Sequence, residues 1–320
     1  MANTIGWGKG TQNNTNGWGK YQNTIDAGSV YADSYAGETV LVGTSAAFSY
    51  SKSSFHQDEA DPTPTITGTT GGTFSATPSG LSINTSTGTI DLDNSTIQSY
   101  TITYTVSGVS ADQTLAVTAS PFIANNFSMQ FDGTNYVSAG NILNFERTDA
   151  FSISAWVKTN AISTQVIFNK LISNVGYQFF INSTGKLGFY AQQSASVYIQ
   201  KNSTAAFNNN SWHHVVITYD GSSNRSGILL YANGNAAATT DVGSASLNAT
   251  IVNSTDAIIG SSFIGNIDEV AIWNAALSLD AVTEIYNATY NNTGKVLDLN
   301  TDTGNYTSSA NLQYWNRLGD

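Results

Sequence analysis

The feature that most restricts what this chain can fold into is a period of two. Tyr100, Ile102, Tyr104 and Val106 alternate with Thr101, Thr103 and Thr105, and Phe151, Ile153, Ala155 and Val157 alternate with Ser152, Ser154 and Trp156. Val215 to Tyr219 reads as a further strand before the Asp220-Gly221 turn, and Leu115 to Val117 as another. Alternation puts one set of side chains on each face of an extended strand, which a helix of 3.6 residues per turn cannot do. Turn clusters such as Thr70-Gly71-Gly72 and Asn84 to Gly88 separate the runs. One stretch has helical period instead: Ser278 can cap it, Asp280 suits its positive end, and Leu279, Val282, Ile285 and Tyr286 share a face. The expectation is an all-β chain with one short helix packed on a sandwich.

At 320 residues the chain exceeds what a single core usually organises. Changes of composition and period divide it at 1–44, 45–60, 61–120, 121–289 and 290–320. The first segment repeats Gly6-Trp7-Gly8-Lys9 as Gly17-Trp18-Gly19-Lys20. Glycines there allow close backbone approach while Trp7 and Trp18 supply apolar contact, so this extended leader is expected to dock on a partner or on its own copies. Residues 45–60 read as a linker. Asp61-Pro62-Thr63-Pro64 opens the next segment as a stiff start to a small β-sandwich over 61–120.

Composition narrows the function. Eleven Lys and Arg against 22 Asp and Glu give a net charge of -11, without the basic footprint that a polyphosphate backbone requires, so nucleic acid is excluded as a partner. No Cys is present, which removes disulfides, thiolate zinc sites and cysteine nucleophiles. No apolar run approaches the roughly 18 residues of a membrane span. The first residues lack a basic region followed by an apolar one, so the expectation is a protein that remains where it is made. Triplets at Asn84, Asn94, Asn182, Asn202, Asn248 and Asn287 that match a glycosylation pattern are then a by-product of an Asn- and Thr-rich chain.

Four blocks occur in order along 121–289: Phe131-Asp132-Gly133-Thr134-Asn135-Tyr136-Val137, Phe151 to Val157, Trp212-His213-His214-Val215, and Gly265-Asn266-Ile267-Asp268-Glu269-Val270-Ala271-Ile272-Trp273. They resemble the laminin-G-like domains of the concanavalin A-like lectin/glucanase superfamily, which implies a two-sheet jelly roll. Gly80 to Asn84 and Gly88 to Ile90 resemble the immunoglobulin-like or cadherin-like modules that often precede such domains. The leader and the closing Asn311 to Asp320 are similar to segments that flank laminin-G-like domains in virion proteins of tailed bacteriophages.

The same resemblance implies a structural calcium ion held by Asp132 and Asp268, which occupy the matching blocks. The plainer reading is an Asp-Gly hairpin turn at Asp132 and loop hydrogen bonds at Asp268. Glucanases of this superfamily project carboxylates from alternate positions of one strand. Here Asn266 and Val270 flank Asp268, and strict alternation turns Glu269 to the other face, so the chain is read as no enzyme. By the same alternation His213 and His214 face opposite sides and cannot share a metal ion. For sugar binding, aromatic faces and amides on loops are wanted, and Tyr177, Tyr190, Tyr198 and Asn208, Asn209 and Asn210 are the candidates. The alternative is that these tyrosines are strand residues in or against the core.

The reading these features suggest is a phage virion protein, a head or tail fibre or decoration, assembled in the host bacterial cytoplasm as a homo-oligomer taken to be a trimer. Its leader would dock on capsid or tail proteins and its lectin-like domain would touch host or environmental glycans. The alternatives are a non-phage bacterial adhesin or carbohydrate-binding protein, and a tail depolymerase.

Overall fold

The computed structural model describes residues 43–291 and 294–320. Trp7 and Trp18 lie outside them. The described residues form two compact units, divided in sequence between Thr118 and Ala119. Among the described residues no helix is long and apolar enough to cross a membrane.

The first unit is all-β: β1 (Phe48–Ser49), β2 (Ser54–His56), β3 (Thr65–Ile66), β4 (Thr73–Thr77), β5 (Ser82–Ile83), β6 (Ile90–Asp91), β7 (Gln98–Val106) and β8 (Val109–Thr118). Its main sheet runs β2-β8-β7-β4, with β1-β3 and β5-β6 as separate ribbons. Tyr100, Ile102, Tyr104 and Val106 are buried and the intervening threonines half-exposed, as alternation requires. Ser107 and Gly108 both take positive φ, 49° and 82°, in the two-residue turn that joins β7 to β8. Residues 45–60, read from the sequence as a linker, belong to this unit. They carry β1 and β2 and bury Ala46, Tyr50 and Phe55 in its core, because aromatic side chains far apart in sequence need each other to leave water.

The second unit contains β9 (Phe122–Ala124), β10 (Met129–Asp132), β11 (Val137–Gly140), β12 (Phe151–Lys158), β13 (Gln165–Ile172), β14 (Val175–Ile181), β15 (Lys186–Ser194), β16 (Val197–Ala206) and β17 (His213–Tyr219). There follow β18 (Ile228–Ala232), β19 (Asn235–Ala236), β20 (Thr239–Gly243), β21 (Ala257–Ile259), β22 (Ile264–Trp273), helix α1 (Leu279–Tyr290), β23 (Lys295–Leu297) and β24 (Leu312–Asn316). Two seven-stranded sheets result. One runs β10-β22-β12-β17-β18-β19 with β24 also on β22, and the other runs β11-β21-β13-β14-β15-β16-β20. Phe151, Ile153, Val215, Ile217, Val270 and Ile272 of the first sheet meet Tyr177, Phe179, Leu187, Phe189 and Ile199 of the second in one core.

The outer face of the first sheet is covered as well. Val216, Ala271 and Trp273 pack beneath Ala281, Val282 and Ile285 of α1 and beneath Leu297, Leu299 and Tyr306. Strands with both faces covered lose the polar-out rule, and the seven residues Phe151 to Val157 are all buried. Their serines fit because they are small and bonded: Ser152 Oγ donates to Ala275 O at 2.8 Å and accepts from Leu277 N–H at 2.9 Å.

Ser278 caps α1, accepting from Ala281 N–H. Leu277 and Val282 occupy the positions of a hydrophobic staple within the same cluster. The buried face is Ala281, Val282, Ile285 and Ala288, whereas Leu279, expected on that face, is exposed.

Candidate functional site

Strand register builds the site. Trp156 on β12 lies opposite His214 on β17 and opposite Asp268 on β22, so the three stand abreast on three neighbouring strands. Helix α1 lays Tyr286 over them, stacked on Trp156 at 5.7 Å and on His214 at 6.1 Å, and Tyr290 continues the stack at 5.2 Å from Tyr286.

A bulge in β22 decides which carboxylates reach this face. Ser154 pairs with Ala271 and Trp156 with Asp268, so Glu269 and Val270 together oppose the single residue Ala155. Glu269 takes φ of 51°. Ile267 and Val270 point into the inner core, Ala271 packs outward, and Asp268 and Glu269 both line clefts of the outer face. The strict alternation expected from the sequence, with Glu269 turned away from Asp268, fails at the extra residue of the bulge. The two carboxylates nevertheless have different partners. Glu269 accepts from Trp315 Nε1 at 2.6 Å and from Arg317 Nε at 3.3 Å.

Asp268 instead lines a cleft of about 340 Å³ with Trp156, Trp212 and Tyr290, closed on one side by Asn125 to Ser128. That closing segment is pinned: Asn125 N–H donates to Gly294 O at 2.8 Å, Asn126 N–H to an Asp320 carboxylate oxygen at 2.9 Å, and the Arg317 guanidinium to Ala124 O. Trp156 forms an almost buried wall, while Trp212, Phe127 and Tyr290 are 38%, 65% and 68% exposed around it. At the polar end Asn125 Nδ2 donates to Asp268 Oδ2 at 3.0 Å, and Glu269 N–H donates to Asp268 Oδ1 at 2.9 Å. Asn125 Oδ1 is buried and has no hydrogen-bond partner.

Burial pushes the Asp268 carboxyl up to about 7; the Asn125 hydrogen bond pulls it down and the Glu269 charge pushes it further up. Burial likewise raises Glu269 to about 6 against the pull of Trp315 and Arg317. Burial depresses His214 to about 3, so its ring is neutral. Its Nε2 lies 2.8 Å from Ser154 Oγ, and its buried Nδ1 has no partner.

The residues expected from the sequence fall elsewhere. Tyr177 is a core residue, 1% exposed, whose hydroxyl donates to Leu143 O, so the sugar-binding expectation is corrected there: its ring is sealed against Phe151. Tyr190 and Tyr198 stand on strands, not loops, and on the outer face of the other sheet. Tyr190 lies abreast of Gln178 and Gln200 and its hydroxyl donates to Gln178 Oε1 at 3.2 Å, while Tyr198 lies opposite Gln192.

Asn208, Asn209 and Asn210 make the turn before β17. Asn208 Nδ2 donates to Ala161 O, Asn209 Oδ1 accepts from Ser211 N–H, and Asn210, at φ 61°, donates its N–H to Thr159 O. Asn210 also borders a shallow cleft with Asp132.

Asp132 Oδ1 accepts from Thr134 Oγ1, Thr134 N–H and Asn135 N–H, which hold its carboxyl below the usual range. Asp132 pairs with Ile264, four residues along β22 from Asp268. That is about 13 Å at 3.3 Å per residue, so the two carboxylates do not converge on one ion. Among the described residues no three His, Cys, Asp or Glu side chains form a metal-binding group.

Residues 131–283 match the family model described as the concanavalin A-like lectin/glucanases superfamily, Laminin_G_3. This part of the chain is a laminin-G-like domain. A comparison with curated proteins finds no significant match. Among solved structures, a candidate carbohydrate-binding protein of Bacteroides ovatus is 14% identical, with a TM-score of 0.50, over 82% of this chain and 86% of its own. The CBM40 of the Ruminococcus gnavus IT-sialidase, solved with α2,3-sialyllactose, is 14% identical with a TM-score of 0.39, covering 50% of this chain and 96% of its own. A heptameric SAP-like pentraxin of Limulus polyphemus is 18% identical with a TM-score of 0.36, covering 50% and 81%. At such identities the likeness concerns the fold.

The laminin-G-like domain thus carries two outer faces with different chemistry. The helix-covered face has one carboxylate at an aromatic cleft. Glycoside hydrolysis by the usual route needs two carboxyl groups flanking one bond, and Glu269 is held by Trp315 and Arg317 instead of lining this cleft. The arrangement suits binding.

Trp156, Trp212, Tyr290 and Asn125, which line this cleft, were not among the candidates named from the sequence. The signal available was Trp156 itself, a large aromatic at an outward position where Ser152 and Ser154 precede it.

Proposed function

We propose that the laminin-G-like domain binds carbohydrate through the cleft at Trp156, and that the protein is a carbohydrate-binding protein and not an enzyme. The observation that carries this reading is an exposed aromatic rim, Trp212, Tyr290 and Phe127, around a buried Trp156 wall, with Asp268 and Asn125 at its polar end. Pyranose rings present apolar C–H faces that stack on such rings, and their hydroxyls need fixed polar partners. The family of the matched domain includes lectins, which agrees with this chemistry.

The finer setting is a cellular adhesin or carbohydrate-binding protein. None of the matches reported above is a virion protein, so display on a phage fibre stands as the rival setting. In either setting weak sites would add through effective concentration when many copies share one surface. Tyr190, abreast of Gln178 and Gln200, and Tyr198, opposite Gln192, form a second surface that enters the same test.

The test is a glycan array probed with the parent chain and with Trp212→Ala, Tyr290→Ala and Tyr190→Ala. Retained glycans that disappear with the first two variants and survive the third support the cleft. Loss only with Tyr190→Ala moves the site to the other sheet, and no retention by any glycan overturns the reading. Immunogold labelling then separates the settings: label on uninfected cell envelopes supports the adhesin, and label on capsids or tails the rival.

A further inference from the structure

We propose that this cleft selects sugars that carry a free, protonated amine. The inference deepens the carbohydrate reading and rests on it. Its basis is a mismatch between acceptors and donors. Asp268, 6% exposed, has no salt-bridge partner among the described residues. The Asn125 amide N–H already serves Asp268, which leaves Asn125 Oδ1 buried without a donor. No Lys or Arg lines the cleft among the described residues. Arg317, which reaches the closing segment at Ala124 O, is held by Glu269 at 3.3 Å and Asp320 at 3.1 Å.

Such a site offers acceptors and aromatic faces and asks for a donor with positive charge. An ammonium group donates three hydrogen bonds and is attracted by the faces of Trp and Tyr rings. A hydroxyl in the same place donates one hydrogen bond and brings no charge, so it gains nothing from ionising Asp268. The carboxylate of a sialic acid or uronic acid would meet Asp268 and Asp320 as a like charge, and an acetylated amine brings bulk without charge.

The groups that set the protonation of Asp268 all face it from its surroundings. They are the Asn125 amide, the Glu269 backbone and charge, and Asp320, while the neighbouring His214 is buried and neutral. In the free site burial keeps Asp268 largely protonated below about pH 7. Binding of an ammonium ion must then expel that proton.

The experiment is isothermal titration calorimetry of the full chain with three β-1,4-linked tetrasaccharides: the glucosamine tetramer, the N-acetylglucosamine tetramer and cellotetraose. The expected result at neutral pH is about tenfold or more tighter binding of the glucosamine tetramer, the scale of one charge-assisted hydrogen bond. At pH 6, runs in buffers of different ionisation enthalpy should show release of up to about one proton per site. Asp268→Asn should erase both the preference and the proton release, and its thermal melt reports whether it has folded.

Equal or tighter binding of either uncharged tetramer overturns the amine inference and leaves the carbohydrate reading standing. So does a preference that survives Asp268→Asn, because general attraction to a chain of net charge -11 would then explain it. If none of the three binds, the amine inference falls; the glycan array then decides the carbohydrate reading separately.

Discussion

The two sheets of the laminin-G-like domain turn similar strands to opposite fates. On the first, Ser152, Ser154 and His214 point outward in sequence terms yet are buried, because α1 and the segment around Leu297, Leu299 and Tyr306 lie over them. On the second, Asn169, Gln178, Tyr190 and Gln200 stand abreast and half-exposed, joined by hydrogen bonds from Gln178 Nε2 to Asn169 Oδ1 and from Tyr190 to Gln178. A polar residue on the outward side of a strand is therefore no guarantee of solvent. What covers the face decides whether it stabilises the fold, and the aromatic cleft forms where that cover stops, at the end of α1.

The largest contrast should appear on truncating one side chain from each face. Trp273 is fully buried beneath the cover and donates its Nε1–H to Tyr306 OH at 2.9 Å, so Trp273→Ala should destabilise the domain by about 3–5 kcal/mol in urea denaturation. Tyr190→Ala on the open face should cost about 1 kcal/mol. Equal losses would mean that the helix and C-terminal segment contribute nothing beyond solvent.

A second test uses pH. Asp268 is raised in the folded state from 3.8 to about 7, so its stabilising protonated form is fully present below about pH 4 and is lost as pH rises through about 7. Asp268→Asn removes this loss. Its stability relative to the parent should rise by roughly 2–4 kcal/mol between pH 4 and pH 7, at about 1.4 kcal/mol per pKa unit. His214, depressed to about 3, acts with the opposite sign over the same window but is present in both proteins and cancels in the difference. Parallel stability curves for the two proteins would contradict the burial of Asp268.

Binding should separate from stability at the rim of the cleft. Trp212→Ala is expected to weaken glycan binding about tenfold or more, an effect near 1.4 kcal/mol, while its unfolding midpoint moves little because the ring is 38% exposed. A large loss of stability would make Trp212 part of the cover. The smallest effect concerns the cover's own start. Ser278→Ala deletes the N-cap acceptor of Ala281 N–H and should cost about 1 kcal/mol, with Ser278→Thr restoring most of it.

What could be read from the residues alone was local. The alternation of Tyr100 to Val106, the capped helix at Ser278 and the opposite facings of His213 and His214 each depend on bonds and faces within a few residues. The residues that line the cleft could not be read this way. Asn125 meets Asp268 across 143 positions of sequence, Trp315 reaches Glu269 across 46, and the bulge that turns Asp268 and Glu269 to one face exists only in the pairing of β12 with β22. Tyr177 and Trp156 show the same division, since both sit on strands rich in apolar residues and one was sealed in the core while the other became the wall of the cleft. Period and capping are properties of a short stretch of backbone, so the sequence determines them. Register, cover and the company of a buried carboxylate are properties of segments brought together, and only the tertiary structure decides which aromatic faces stay open and which charge is left without a partner.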